Sequence, residues 1–230
     1  LIALVFLYIP VLAIDEKRYC VSTPSDVKMV DSMKATFRNK HFTLFVVSDL
    51  VYWVAVTVFQ SALIYYVTIL LNLPEETTGT LLIILGLGSF LFYVPVNLVS
   101  RKFGKKKLLL SAFFLFILTY VFGAFLGTLP VVSMTQAFIL VGLGSIPMAI
   151  FGILPNAVIA DIAEFDARTT GVRREAMFFG TRTFMSKMGQ MVSMLIISAL
   201  LLIERNGSNE IGIRLTAVAA AVFCFKIGRA

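Results

Sequence analysis

The chain alternates between long apolar runs and short polar loops. Five runs have membrane-spanning length and a weaker sixth run follows them: residues 42–71, 80–100, 108–127, 131–160, 177–203 and 213–225. About 20 apolar residues in a helix cross the roughly 30 Å hydrocarbon core of a bilayer. Helices satisfy their own backbone hydrogen bonds in lipid, which isolated strands do not. We therefore predict an all-α membrane protein with a six-helix transmembrane bundle at residues 42–230.

Two segments precede this bundle. Residues 1–14 are apolar but too short to span a bilayer, and no basic segment precedes them as in a signal peptide. We interpret them as the end of a transmembrane helix from a preceding half, so that the chain would be a fragment. Residues 15–41 are polar and charged. They are predicted to form a cytoplasmic linker.

Positive charge is concentrated in alternate loops. Residues 15–41 contain six Lys or Arg and residues 101–107 contain five, whereas the turns at 73–79 and 128–130 contain none. Loops rich in Lys and Arg stay on the cytoplasmic side of a membrane. The pattern predicts that the linker, the 101–107 turn and a loop at 161–175 are cytoplasmic. The protein would then be a multi-pass cell-membrane protein with a cytoplasmic C-terminus.

The composition excludes several other classes of protein. The chain is 59% hydrophobic and 14% charged with a mean hydropathy of +0.92, far from the balance of a soluble domain. Its net charge of +7 lies mostly in the short loops, so topology explains it and no nucleic-acid partner is predicted. One histidine and two cysteines offer no metal-ligand spacing and no nucleophile–base pair. We predict membrane lipid as surroundings, no enzyme activity, no metal and no cofactor.

Lys187 lies near the middle of the apolar run 177–203. An ammonium at this depth costs several kcal/mol in lipid, so it normally faces a protein interior or a watery cavity. Thr183 and Gln190 share its helix face at the spacing i−4 and i+3. This stripe predicts a passage for a hydrophilic solute, with snorkelling or a structural ion pair as the alternative. Arg182, nearer the start of the run, is the better candidate for snorkelling.

Asp49 is a second charged residue within an apolar run, residues 42–71. It forms one stripe with Trp53 at helical spacing, about 10 Å inside the predicted boundary. A carboxylate within a span is a functional-site hypothesis, although water can reach one near the interface. Asp49 can pair with Lys187, bind a cation or belong to a gate. Trp53 offers a flat face that suits a sugar ring, or it simply fills space.

The 101–107 turn resembles the cytoplasmic loop signature of the major facilitator superfamily, in which Asp-Arg-x-Gly-Arg-Arg joins the second and third helices of each half. Gly104, Lys105 and Lys106 match this signature. Arg101 stands where the superfamily has its aspartate. The charge-pair role of that aspartate is therefore in doubt for this chain.

Residues 155–190 resemble the tenth-to-eleventh helix region of the glycoside–pentoside–hexuronide:cation symporters, the melibiose-permease family. That family has an Ala-Asp motif, an acidic residue, a Thr-Gly-x-Arg-x-Glu loop and then a helix with a lysine. The matching residues are Asp161, Glu164, Thr170, Gly171, Arg173, Glu175 and Lys187. The resemblance covers nearly the whole chain, but only the C-terminal half of a family member.

This resemblance implies the C-terminal half of a twelve-helix secondary transporter that works by alternating access with its N-terminal half. It implies symport of a small polar solute, a sugar or glycoside, with Na⁺ or H⁺ as the coupling ion. Lys187 and Thr183 match eleventh-helix positions associated with the sugar pocket. The acidic and basic loop residues match a charge network that closes the inward gate, which we predict to include Asp161, Glu164, Arg173, Arg174, Arg101 and Gly104.

Two other interpretations remain open from the sequence. Relatives of the family move amphiphiles and keep a similar lysine, so a lysolipid carrier is the alternative within transport. A half-size protein that homodimerises, or a non-transporting membrane scaffold, is the alternative outside it. Six more spans in an upstream reading frame would exclude a half-size protein.

Overall fold

The structure is a computed structural model that describes residues 34, 36–202 and 210–227. Its regular elements are all helical, and we number them in chain order. They are α1 (Lys40–Tyr65), α2 (Glu76–Leu91), α3 (Tyr93–Phe103), α4 (Lys105–Ala124), α5 (Ser133–Thr170), α6 (Glu175–Leu202) and α7 (Glu210–Ile227). The predicted helix end at residues 1–14 and most of the linker at 15–41 lie outside the described residues.

Among the described residues, four spans have the length and composition of a membrane crossing when one bent pair of helices counts as a single span. Three are single helices: α1 with the π-helical turn Tyr66–Leu70 that follows it, α4, and α5. The fourth is the pair α2 and α3, which is bent by 42° at its break. The 28-residue α6 and a shorter apolar helix within α7, Gly212–Val222, pack against these spans. The all-α membrane fold predicted from the sequence is confirmed.

The second predicted span, residues 80–100, is broken rather than continuous. α2 ends before Phe92 and α3 starts after it. Pro95 lies three residues beyond the break, and a proline both lacks an N–H and collides with the carbonyl four residues before it. Gly104 then joins α3 directly to α4 with φ of 85°, a conformation that favours glycine.

The prediction of a loop at residues 161–175 is wrong for most of its length. α5 continues to Thr170 and spans 38 residues in spite of two internal prolines. Alanine and charged side chains at 160–168 favour helix in water, and Glu164 pairs with Arg168 one turn later at 2.5 Å. Gly171 ends the helix in the left-handed conformation, and its N–H donates to Ala167 O.

We call the end of the bundle at which α1, α4 and α6 begin and α5 ends the basic end. α1 begins there with Asn39 as its N-cap, whose side chain accepts hydrogen bonds from the backbone N–H groups of His41 and Phe42. A small apolar layer next to this cap joins α1, α5 and α6. Its members are Phe42, Val46, Ile159, Ala163 and Phe178. A larger core fills the rest of the bundle.

The axes of α1 and α6 lie close together because α6 carries glycine at their contact. A Cβ atom at Gly189 would lie 2.7 Å from the Leu50 carbonyl oxygen and 3.1 Å from Trp53 Cβ. One turn later, the Ser193 hydroxyl lies 3.2 Å from the Val54 carbonyl oxygen and donates toward it. Small residues commonly allow this close approach between membrane helices.

We expect Gly189→Ala to destabilise the protein by about 1–3 kcal/mol, because the added methyl group overpacks a contact with backbone. Gly180→Ala on the same helix is the matched control, since no atom lies within 4 Å of its Cβ position. The alanine in the control raises the helix propensity and meets no neighbouring helix or side chain. Thermal unfolding of both purified variants in detergent tests this, and equal midpoints would contradict it.

Candidate functional site

The predicted solute stripe lies on one side of α6. Thr183 and Lys187 are exposed on the surface of the bundle, and Gln190 is half-buried beside them. The Lys187 ammonium donates a hydrogen bond to Gln190 Oε1 at 3.3 Å. Within the described residues Lys187 has no carboxylate partner. Its charge is therefore available to whatever covers this face of α6.

Asp49 is held by Arg182 instead of Lys187. Its side chain is 1% exposed, and the distances from Arg182 Nε to Oδ2 and from Nη2 to Oδ1 are 3.1 and 3.2 Å. This contact is a two-pronged guanidinium–carboxylate pair, the strongest geometry for such an interaction. The predicted snorkelling of Arg182 is wrong, since that side chain is only 13% exposed. The structure also does not pair Asp49 with Lys187, because Arg182 contacts both oxygens of the Asp49 carboxylate.

A third helix completes this group. Arg182 Nη1 donates a hydrogen bond to Asn156 Oδ1 on α5 at 2.5 Å. We call Asp49, Arg182 and Asn156 the inner cluster. Their charges cancel, and the guanidinium occupies the place between three side-chain oxygens. No group of three His, Cys, Asp or Glu side chains that could hold a metal occurs in the described part of the chain. The sequence left open that Asp49 binds a cation, but both oxygens of this carboxylate accept hydrogen bonds from Arg182.

Aromatic side chains surround the inner cluster. Tyr52 follows Asp49 by three residues and stacks on Phe151 of α5 with ring centroids 4.1 Å apart. Trp53 packs at 5.4 Å from Tyr52, and its buried indole Nε1 makes no hydrogen bond of standard geometry. This apolar wall keeps water from the ion pair. Trp53 also belongs to the contact with α6, since its Cβ lies 3.1 Å from the Cβ position at Gly189.

A second arginine, Arg174, lies eight residues before Arg182 and immediately precedes α6 at the basic end. Arg174 Nη2 is 3.5 Å from Asp166 Oδ2, with side chains only 12% and 9% exposed. Asn39 Nδ2 donates to the other oxygen of Asp166 at 3.1 Å. We call Asn39, Asp166 and Arg174 the outer cluster. Asp166 and Asn39 were not among the predicted site residues, although Asp166 continues the buried stripe of Ile159 and Ala163 at helical spacing.

The predicted gate residues do not form one group. Asp161 pairs with Lys105 at 2.6 Å across α5 and α4, and Glu164 pairs with Arg168 on its own helix. Arg174 belongs to the outer cluster. Arg173 and Arg101 are exposed, and Gly104 forms the turn between α3 and α4. Partners on an N-terminal half, which the gate requires, stay a prediction.

A cavity at the basic end includes the predicted gate residue Asp161 in its lining. It is a groove of about 590 Å³ between the starts of α1 and α4 and the end of α5. Its walls are mostly apolar, and His41, Lys105, Lys106 and Asp161 line its polar part. None of the predicted solute-stripe residues lines it. The solute stripe is therefore distinguished by its side-chain chemistry and not by this cavity.

Comparison with known proteins agrees with this architecture. The model of a family described as MFS/sugar transport protein matches residues 1–207. The chain belongs to this family. That membership confirms the predicted major facilitator sugar-symporter relationship, and it makes the chain part of a transporter rather than an enzyme.

A curated relative carries a compatible name. An uncharacterized symporter of Synechocystis sp. is 26% identical over 185 residues, which cover 79% of this chain. The match covers 32% of that relative, so the chain spans about a third of its length.

Proposed function

We propose that this chain is the C-terminal six-helix half of a sugar or glycoside symporter that works by alternating access. The N-terminal half of the same transporter is its partner, and the solute crosses between the two halves. In transporters of this architecture the solute binds near the bilayer midplane at the interface of the halves. Na⁺ or H⁺ is the coupling ion.

The observation that carries the proposal is the contrast between Lys187 and Arg182. Both are cations of α6, but Arg182 is neutralised by Asp49, whereas Lys187 has only the Gln190 amide as a partner among the described residues. A charge inside a membrane protein without a partner on its own bundle is expensive unless it faces water, a solute or another half. Lys187, Thr183 and Gln190 supply donors and acceptors that match solute hydroxyl groups.

Asp49 and Trp53 have different parts in this proposal. The Asp49 carboxylate holds Arg182 and so supports the pathway from within the bundle. Trp53 follows it by one helical turn on α1, is half-buried, and has its Cβ at the contact with α6. Aromatic rings of this kind pack against the apolar face of a sugar.

The orientation follows from the charges at the two ends of the bundle. We place the basic end in the cytoplasm of a cell membrane, with the C-terminus on the same side. The exposed charged residues at that end include Asp161, Glu164 and Arg173, which would meet the N-terminal half when the inward gate closes. Such pairs favour the outward-open state, because they form only when the cytoplasmic ends of the halves meet.

Uptake by the full-length protein in proteoliposomes tests the function. We expect accumulation of a sugar or glycoside from a panel of labelled solutes, driven by an imposed Na⁺ or H⁺ gradient and lost when the gradient collapses. A labelled lysolipid is the comparison solute, and accumulation of it alone would assign an amphiphile carrier. Absence of uptake for every solute under both gradients would refute the proposal.

Cysteine labelling tests the orientation. In a background with Cys20→Ser and Cys224→Ala, we expect Lys105→Cys to resist an impermeant maleimide applied outside intact cells. Thr128→Cys, in the exposed turn at the other end of α4, is the control that should react. Strong outside labelling at position 105 would reverse the orientation.

A further inference from the structure

The inner and outer clusters have the same composition, with the roles of two helices exchanged. In each cluster an arginine pairs with one aspartate, and an asparagine completes the group; Arg182 lies within α6 and Arg174 immediately before it. The inner cluster takes its aspartate from α1 and its asparagine from α5. The outer cluster takes its aspartate from α5 and its asparagine from the N-cap of α1. Each cluster therefore joins the same three helices.

The two clusters act on α6 at different heights. Arg174 and Arg182 are eight residues apart, which is about 12 Å along a helix. The apolar layer that includes Phe42 and Phe178 lies between them, with these two rings in edge-to-face contact at 4.8 Å. The Arg182 side chain projects away from the axis of α6, so its attachment to α1 and α5 opposes rotation of the helix, and the contact of Arg174 holds the start of the helix as well.

The direction in which the solute stripe faces depends on the rotation of α6 about its axis. Lys187 follows Arg182 by five residues, so their side chains leave α6 about 140° apart at the usual 100° per residue. When Arg182 is held inside the bundle, Lys187 is necessarily directed out of it. A rotation of α6 would carry Lys187 and Thr183 away from the face where we place the solute.

We propose that Arg182 is a positioning residue, which fixes the rotational setting of α6 and thereby directs Lys187 and Thr183 toward the solute. This inference rests on the proposed function for the identity of that face. The planar guanidinium is required, because it holds a carboxylate through two N–H groups and still donates to an amide of a third helix. A lysine ammonium in its place neutralises Asp49 but does not hold both neighbours in one plane.

The test compares thiol reactivity on the two flanks of α6 in membranes that contain the full-length protein. Thr183→Cys and Met188→Cys are the reporters, because both positions are exposed and they leave the helix about 140° apart. Each is combined with Arg182→Gln or Arg182→Lys in the cysteine-free background and labelled with a small methanethiosulfonate. Arg168→Gln, which breaks only an exposed pair, is the control.

We expect the ratio of labelling rates at positions 183 and 188 to change about fivefold or more in both Arg182 variants, the ratio that roughly 1 kcal/mol between two orientations produces. The control should leave the ratio unchanged. If Arg182→Gln does not accumulate, Arg182→Lys carries the test, since it keeps the charge that Asp49 needs.

Three results would overturn the inference. One is an unchanged ratio in Arg182→Lys, which would leave charge neutralisation as the role of Arg182. Another is an unchanged ratio in a well-expressed Arg182→Gln. The last is an equal rise at both reporters and at the buried position Ser186→Cys, which reports unfolding alone. The labelling needs no solute, so failure of uptake in the parent protein would refute the proposed function without touching this result.

Discussion

Arg182→Met should lower the free energy of unfolding by about 3–5 kcal/mol, because it leaves the Asp49 carboxylate buried without its counter-charge. That carboxylate is 1% exposed and receives both of its side-chain hydrogen bonds from Arg182. Removal of one partner from a buried pair costs far more than the pair contributes, since an isolated ion in low dielectric has nothing to replace its lost water.

The double variant Asp49→Leu with Arg182→Met should recover most of this loss. Replacement of both ions by apolar side chains of similar size is often neutral or even stabilising. Thermal unfolding of the single and double variants in the same detergent measures the difference. Arg168→Met is the matched control, since its pair with Glu164 is exposed and worth about 0.3–0.5 kcal/mol. A double variant as unstable as the single would mean that Arg182 contributes through Asn156 rather than Asp49.

Lys187→Met should weaken solute binding about ten- to a hundredfold, which corresponds to the roughly 1.5–3 kcal/mol of a hydrogen bond from a charged donor. The variant should still accumulate in the membrane, because methionine fills a similar volume and suits the bilayer better than an ammonium. Lys187 holds no carboxylate among the described residues, so its removal leaves no buried anion behind. This distinguishes it from Arg182.

Solute binding and gradient-driven uptake at matched expression measure the effect of Lys187→Met. Lys102→Met is the control, since Lys102 is an exposed residue of the last turn of α3. Near-parental values for both quantities in Lys187→Met would assign Lys187 a structural role. A loss of uptake with normal binding would instead place Lys187 in the coupling to the cation.

Membrane class and most span positions were predictable from the sequence alone. Long apolar runs separated by loops that alternate between basic and non-basic have few solutions in a bilayer, because backbone groups in lipid must pair within each segment. Helical periodicity also placed Lys187, Thr183 and Gln190 on one side of α6. The end of α5 was not predictable in the same way, since charged residues at 161–168 are as typical of a loop as of a helix that projects from the membrane.

The partner of Asp49 was decided only by the tertiary structure. Arg182 and Lys187 are both cations on α6, and Asp49 is 133 positions away from Arg182 in the chain. Periodicity says that the two cations point about 140° apart, but not which of them faces α1. Gly189 settles the choice, because it lets α6 approach the Leu50 backbone with the Arg182 face inward. A local pattern sets which residues share a face, whereas the packing of distant segments sets what that face meets.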